Sequence, residues 1–169
     1  MINYIFCPQC TTKLKQQNTS YRCDTCPLTI YRDPIPTVCA FILNDKNQVL
    51  VNKRAIEPRK DTYDIPGGFL NLNEDSGEAI HREVFEETGL KIKIVDLLSI
   101  HKDRYGENGN HIINIYYVAK VSGGDLLAKD DVKDLEWVMI DEIPQMGFES
   151  ANNAVRDFKK WINKSPQRI

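Results

Sequence analysis

The sequence predicts an α/β or α+β fold, with helices packed on a sheet and a small metal-held piece in front of it. Three observations carry this. Several short runs are rich in β-branched residues, two stretches repeat at helical spacing, and two CxxC pairs stand near the start. The chain has 169 residues, enough for one medium domain with an appendage. It is 41% hydrophobic and 27% charged, so it can build a core. Its net charge of -2 implies no broad nucleic-acid surface. The opening "MINYIFCPQC" has neither the basic flank nor the apolar run of a secretory leader, and no apolar run is long enough to span a membrane. A cytoplasmic protein is expected.

Residues 1–34 form the first unit and residues 35–169 the second. The first is rich in Thr, Gln and Cys and too poor in large apolar residues to fold by burial alone. "CPQC" (Cys7, Cys10) and "CDTC" (Cys23, Cys26) each suit a tight turn presenting two thiolates, and together a tetrahedral S₄ zinc site. A redox reading fits less well, because neither pair follows a strand and opens a helix. The zinc would be structural, replacing a missing core. Lys13, Lys15, Arg22 and Arg32 outnumber Asp24 and Asp33, and Tyr4, Phe6, Tyr21 and Tyr31 could stack on bases. The excess is small, so nucleic acid is a possible partner but not the favoured one. "YRDPIP" marks the connector.

"TVCAFIL" reads as a buried strand, "NDKNQ" as a turn and "VLVNKR" as the returning strand. "DTYDIPGGF" is a sharp bend. A helix is expected from Gly77 to Thr88, with Asp75 and Glu78 as a capping box and Gly89 as the stop. "KIKIVDLLSI", "HIINIYYVAKV" and "LEWVMI" read as strands, and "HKDRYGENGN" as a long loop near the active cleft. In "ESANNAVRDFKKWINK" the apolar residues Ala151, Ala154, Val155, Phe158, Trp161 and Ile162 share one helical face. Cys39, in an apolar strand, is expected to be a small core residue.

The first helix carries the chemistry. Glu83, Glu86 and Glu87 share one face at i, i+3 and i+4, where like charges repel. A divalent cation removes that repulsion, and Mg²⁺ held by carboxylates also holds substrate phosphates. A solvated acidic face is the alternative at this spacing alone.

Gly68, Glu74, Arg82, Glu83, Val84, Glu86, Glu87, Gly89 and Leu90 reproduce the pattern G, five residues, E, seven residues, R-E-hydrophobic-x-E-E-x-G-hydrophobic. This resembles the Nudix box, with every defined position matched. Flanking stretches ("NKRAIEPRKDTYDIPGGF", "LEWVMIDEIP", "FESANNAVRDFKKW") are similar to a Nudix subgroup with an N-terminal zinc ribbon.

The resemblance implies an α/β/α sandwich around a mixed sheet, and hydrolysis of a nucleoside diphosphate linked to another moiety. Glu83 and Glu87 would ligate Mg²⁺ or Mn²⁺, with Glu86 a third ligand or holding the attacking water. Gly68 would supply close approach and a carbonyl. Arg82 would pair with a box carboxylate such as Glu74, or contact phosphate. A general base outside the box would come from Asp103, Glu107, Asp130, Asp131 or Glu136, with Asp131 preferred. Arg54, Arg59 and Tyr63 precede the box and are candidate substrate contacts, although Tyr63 packed under the bend and solvated arginines are equally compatible. His101 is the histidine best placed to meet substrate.

The Ser-Gln-Pro-Trp-Pro-Phe-Pro motif of NADH pyrophosphatases is absent after the box. The resemblance to ribbon-and-box enzymes that lack this motif then implies ADP-ribose or FAD as substrate, ahead of NADH or NAD-capped RNA. A non-catalytic nucleotide-sensing module is a further alternative. A homodimer with a shared cleft is possible by the same resemblance.

Overall fold

The structure, a computed structural model, describes residues 4–106 and 109–164. Near the N-terminus, β1 (Lys15–Gln16), β2 (Ser20–Arg22) and β3 (Thr29–Tyr31) form an antiparallel sheet of their own. Its small core is Cys7, Leu14, Tyr21 and Cys23.

A seven-stranded mixed sheet follows. It contains β4 (Ile35–Leu43), β5 (Gln48–Arg54), β6 (Tyr63–Asp64), β7 (Gly67–Phe69), β8 (Leu90–Arg104), β9 (His111–Gly124) and β10 (Val132–Met139). The order is β10-β5-β4-β9-β8, with β6 on β5 and β7 on β4. Only the β4–β9 pair is parallel.

Helix α1 (Ser76–Thr88) covers one face and α2 (Glu149–Lys164) the other. This explains why β4 is an unbroken apolar run rather than an alternating one. Val38, Ala40 and Ile42 pack with Ala79, Ile80 and Val84 of α1. Cys39, Phe41 and Leu43 pack with Ala151, Ala154 and Phe158 of α2. A strand buried on both faces needs apolar residues at every position. The Phe41 and Phe158 rings stack at 4.4 Å.

The stretch expected to be a ten-residue loop is shorter. β8 runs on to Arg104, and β9 begins at His111. The cause is register: His101, Asp103 and Arg104 pair with Asn114, Ile112 and His111. The antiparallel ladder therefore continues through residues whose polarity suggests a loop. The "DTYDIPGGF" bend likewise contains two short strands, β6 and β7. Glu107 lies outside the described residues. Among the described residues, no helix is long and apolar enough to cross a membrane.

Candidate active site and cysteine cluster

Helix α1 is fixed at both ends by its own sequence. Asp75 accepts from the N–H groups of Gly77 (2.8 Å) and Glu78 (2.9 Å), and Glu78 accepts in return from the Asp75 N–H at 2.9 Å. Gly89 ends the helix in a left-handed conformation, where an added Cβ would meet the Asp125 carbonyl oxygen at 2.5 Å. Burial of Ala79, Ile80 and Val84 sets the rotation of the helix. That rotation turns Glu83 and Glu87 inward to the sheet end while Glu86 stays half-exposed.

Arg82 ties this face together. Its Nε and Nη2 donate to the two oxygens of Glu74 at 3.0 and 2.5 Å. Nη1 donates to Glu83 (2.8 Å) and Glu86 (3.0 Å), and Nη2 also reaches the Phe69 carbonyl at 3.0 Å. A planar guanidinium can do this, and a lysine ammonium cannot. The Arg82 fork and the Asn71 N–H hold the Glu74 carboxyl below its usual range.

The inner carboxylates behave oppositely. Burial raises Glu87 to about 8, against the Gly67 N–H that donates to it at 2.9 Å, and Asp64 and Glu83 add to the rise. Burial also raises Glu83, with Arg82 opposing. Asp64 is raised by burial although Arg54 Nη1 donates to it at 3.2 Å. Burial and the charges of Asp64 and Glu87 push the Cys39 thiol up. Carboxylates kept as neighbours in a poorly solvated place could hold a cation.

The two glycines of the bend allow the approach. An added Cβ at Gly68 would lie 2.5 Å from the Glu83 carboxylate, and one at Gly67 would lie 2.0 Å from the Val38 carbonyl oxygen.

Beside this acidic face lies a cavity of about 330 Å³. Arg54 enters it, donating to Asp64, to the Pro58 carbonyl (2.8 Å) and to the Tyr105 hydroxyl (3.3 Å). Its guanidinium stands 5.3 Å from the centre of the Phe148 ring. Tyr105 and Phe148 are near-parallel at 6.1 Å, and Phe69 meets Tyr105 edge-on at 5.1 Å. The cavity thus has an acidic side, an aromatic side and one arginine between them.

Of the residues singled out in the sequence, Gly68, Arg82, Glu83, Glu86, Glu87, Arg54 and Asp131 all border this cavity. Three proposed substrate contacts do not, among the described residues. Tyr63 turns away on β6, and its hydroxyl donates to Glu136 at 3.3 Å. Arg59 lies in a turn at φ +66°, its carbonyl accepting from Thr62. His101 faces α2, with Nε2 2.9 Å from Asp157.

Among the base candidates, Asp103 is engaged by the N–H groups of Ser150 (2.8 Å) and Arg104 (2.7 Å), and Glu136 by Tyr63. Asp130 and Asp131 stand at the cavity. Asp64, Tyr105, Phe148 and the polar residues Thr37, Asn114, Tyr116 and Ser150 line it as well and were not foreseen. Two of them had a sequence signal: Tyr105 lies in the polar stretch expected near the cleft, and Asp64 follows Tyr63 in the stretch before the box.

In the N-terminal unit, the four sulfurs of Cys7, Cys10, Cys23 and Cys26 all lie within 4.8 Å of one another. Neighbouring sulfurs are 3.4, 3.6 and 3.7 Å apart. A tetrahedral ion with Zn–S bonds of about 2.3 Å has an S–S edge of about 3.8 Å, so the thiols are already spaced for one. A second cavity, of about 310 Å³, lies where this unit meets the start of β9, with Tyr4, Tyr31, Arg32 and His111 on its wall.

Comparison with known proteins places this geometry. A family model for the NUDIX domain matches residues 33–161. The chain belongs to the Nudix family. It is 34% identical over 134 residues to the ADP-ribose pyrophosphatase of Methanocaldococcus jannaschii, covering 79% of this chain and 78% of that one. It is 25% identical over 150 residues to the NAD-capped RNA hydrolase NudC of Deinococcus radiodurans, covering 83% of this chain but 51% of the relative. The chain thus spans about half the length of that relative. A NUDIX hydrolase from Nitrosomonas europaea shares the fold at a TM-score of 0.77 and 22% identity, over 97% of this chain and 93% of that one.

Proposed function

We propose that this chain is a divalent-metal-dependent pyrophosphohydrolase acting on a nucleoside diphosphate linked to a second moiety, with ADP-ribose the first candidate and FAD the next. The carrying observation is the single cavity that sets buried carboxylates, an arginine and an aromatic wall side by side. A diphosphate with a base attached needs those three surfaces in that adjacency. The likeness to an ADP-ribose pyrophosphatase supports the same substrate.

Glu83, Glu86 and Glu87, with the Gly68 carbonyl, would hold Mg²⁺ or Mn²⁺. The donor set is hard oxygen, and Gly68 leaves the room a side chain would fill. The ion, when bound, would neutralise phosphate charge and lower the pKa of an attacking water. The chain's own residues would do the positioning. Arg82 ties Glu83 and Glu86 to β7, which carries Gly68. Arg54, clamped by Asp64 and Tyr105, would face the phosphates. Water would add through oxygen to one phosphorus, and the bond from that phosphorus to the bridging oxygen would break. The water's proton would pass to Asp131, and a nucleoside monophosphate and a phosphorylated second moiety would leave.

Residues 1–34 would be a ribbon closed by structural zinc on Cys7, Cys10, Cys23 and Cys26, and residues 35–169 the hydrolase. A second reading, NAD-capped RNA as substrate, draws on the likeness to NudC and on the aromatic and basic wall of the second cavity.

The test is nucleoside monophosphate release with Mg²⁺ from ADP-ribose, FAD, NADH and NAD-capped RNA, with Glu83→Gln as the blank. Turnover of ADP-ribose or FAD well above the rest is expected. Preference for capped RNA that weakens with salt would favour the second reading. No turnover of any would overturn both.

A further inference from the structure

The second cavity takes no part in the hydrolytic step. Tyr4, Thr19, Tyr31 and Arg32 reach it from the small sheet and its flanks, Ile35 from the start of β4 and His111 from the start of β9. The wall on the small-sheet side is held by packing. Tyr21 is buried, Tyr4 meets its ring edge-on at 5.7 Å, and the Arg32 guanidinium stands 5.9 Å from its centre. The Arg32 N–H donates to the Thr19 carbonyl at 2.7 Å, which closes the connector onto the small sheet. Tyr31 differs, being 66% exposed on the same wall. A large ring left so open beside a cavity is a surface on which another flat ring can stack.

The position of this cavity relates it to the first. Along β4 the side chains of Cys39, Thr37 and Ile35 alternate with those that face α1, so all three lie on the α2 side of the sheet. Cys39 and Thr37 border the first cavity and Ile35 borders the second. Ile112, which pairs with Ile35, borders the first. At this pair the walls of the two cavities come within one strand spacing, about 4.8 Å. Cys39 marks the acidic end, because it pairs with Gly67, whose N–H donates to Glu87. From Cys39 to Ile35 is about 13 Å of strand. A terminal ribose is too short to cover that length, and a sugar arm ending in a ring system is not.

We propose, on the reading of the first cavity as the diphosphate site, that the second cavity receives the flat ring of the substrate's second moiety. The small sheet would then select nucleoside diphosphates joined to an aromatic group. Arg32 shares the wall with Asp33, and this pair of opposite charges suits an uncharged ring better than a run of phosphates. ADP-ribose would be hydrolysed without touching this cavity.

The experiment compares FAD with ADP-ribose on the full chain and on Tyr31→Ala and Tyr31→Phe. The Tyr31 side chain is exposed, so neither change removes core packing. In Tyr31→Ala, kcat/KM for FAD is expected to fall about tenfold, through KM, while that for ADP-ribose stays within about twofold. Tyr31→Phe keeps the ring and should keep both natural values. FMN, the flavin-bearing half of FAD, gives a readout without turnover. Its fluorescence should be quenched on binding with Mg²⁺, and its Kd should rise about tenfold in Tyr31→Ala. Equal losses for FAD and ADP-ribose, hydrolysis of ADP-ribose but not FAD, or an FMN Kd that ignores Tyr31 would overturn the proposal. So would a loss confined to NAD-capped RNA, which would assign the cavity to nucleic acid. Turnover of both substrates with no effect of Tyr31→Ala would overturn this inference and leave the hydrolase standing. No turnover of either, with FMN binding that depends on Tyr31, would do the reverse.

Discussion

Replacing Glu87 by Gln should make the Mg²⁺-free protein more stable while impairing its chemistry. Glu87 is 7% exposed, and burial raises its pKa from 4.5 to about 8. Below pH 4.5 the folded and unfolded chains both hold the proton, and the group makes no difference. Between 4.5 and about 8 the folded chain keeps a proton that the unfolded chain has released, so stability falls as pH rises. Above about 8 the loss is complete. At pH 7 it amounts to about 3 kcal/mol.

Gln removes this penalty. Its amide oxygen can still accept from the Gly67 N–H, and burying its NH₂ is expected to cost about 1 kcal/mol. Glu87→Gln should therefore gain about 2 kcal/mol at pH 7, or ~4–8 °C in Tm, and nothing at pH 5. The assay is urea unfolding followed by Trp137 and Trp161 fluorescence at pH 5, 6, 7 and 8, in protein dialysed free of Mg²⁺. Loss of stability across the whole range, or a pH dependence identical to that of the natural chain, would refute the argument that Glu87 is held at an electrostatic cost.

Glu83→Gln should lower the Mg²⁺-dependent rate by roughly 100-fold or more with the circular dichroism unchanged, and a near-natural rate would remove the acidic helix from the chemistry. Gly67→Ala puts a Cβ 2.0 Å from the Val38 carbonyl oxygen and 2.6 Å from Cys39 Cα, at φ +152°. Because both obstacles are backbone, it should cost about 3 kcal/mol in urea unfolding, and a loss below about 1 kcal/mol would show that β7 can shift. Cys23→Ser should lower the zinc content, measured by plasma mass spectrometry, and abolish hydrogen-exchange protection in β2 and β3. Protection in β4 and β5 should persist, and retained protection in β2 would mean that the small sheet does not depend on metal.

What was legible in the sequence was local. The capping box, the Gly89 stop and the i, i+3, i+4 glutamates all lie within one helix, so their geometry follows from 3.6 residues per turn. The CxxC pairs are nearly as local, since each turn fixes its own two thiols. β4 was legible because burial on both faces leaves a continuous apolar run. The rest of the cavity depends on pairings that no window contains. Thr37 meets Asn114 across 77 residues, and Asn114 meets Ser150 across 36. Nothing in "TVCAFIL" or "FESANN" announces a partner in the other.

The candidate contacts that lie off the cavity are more instructive, because a local rule governs Tyr63. Tyr63 precedes the box by few residues, and nearness along the chain suggested nearness in space. But Tyr63 and Asp64 are consecutive on β6, and consecutive strand residues face opposite sides. Asp64 turns inward to Arg54 and the cavity, so Tyr63 must turn outward to Glu136. Of the two, Asp64 is the one that borders the cavity, where Arg54 donates to it.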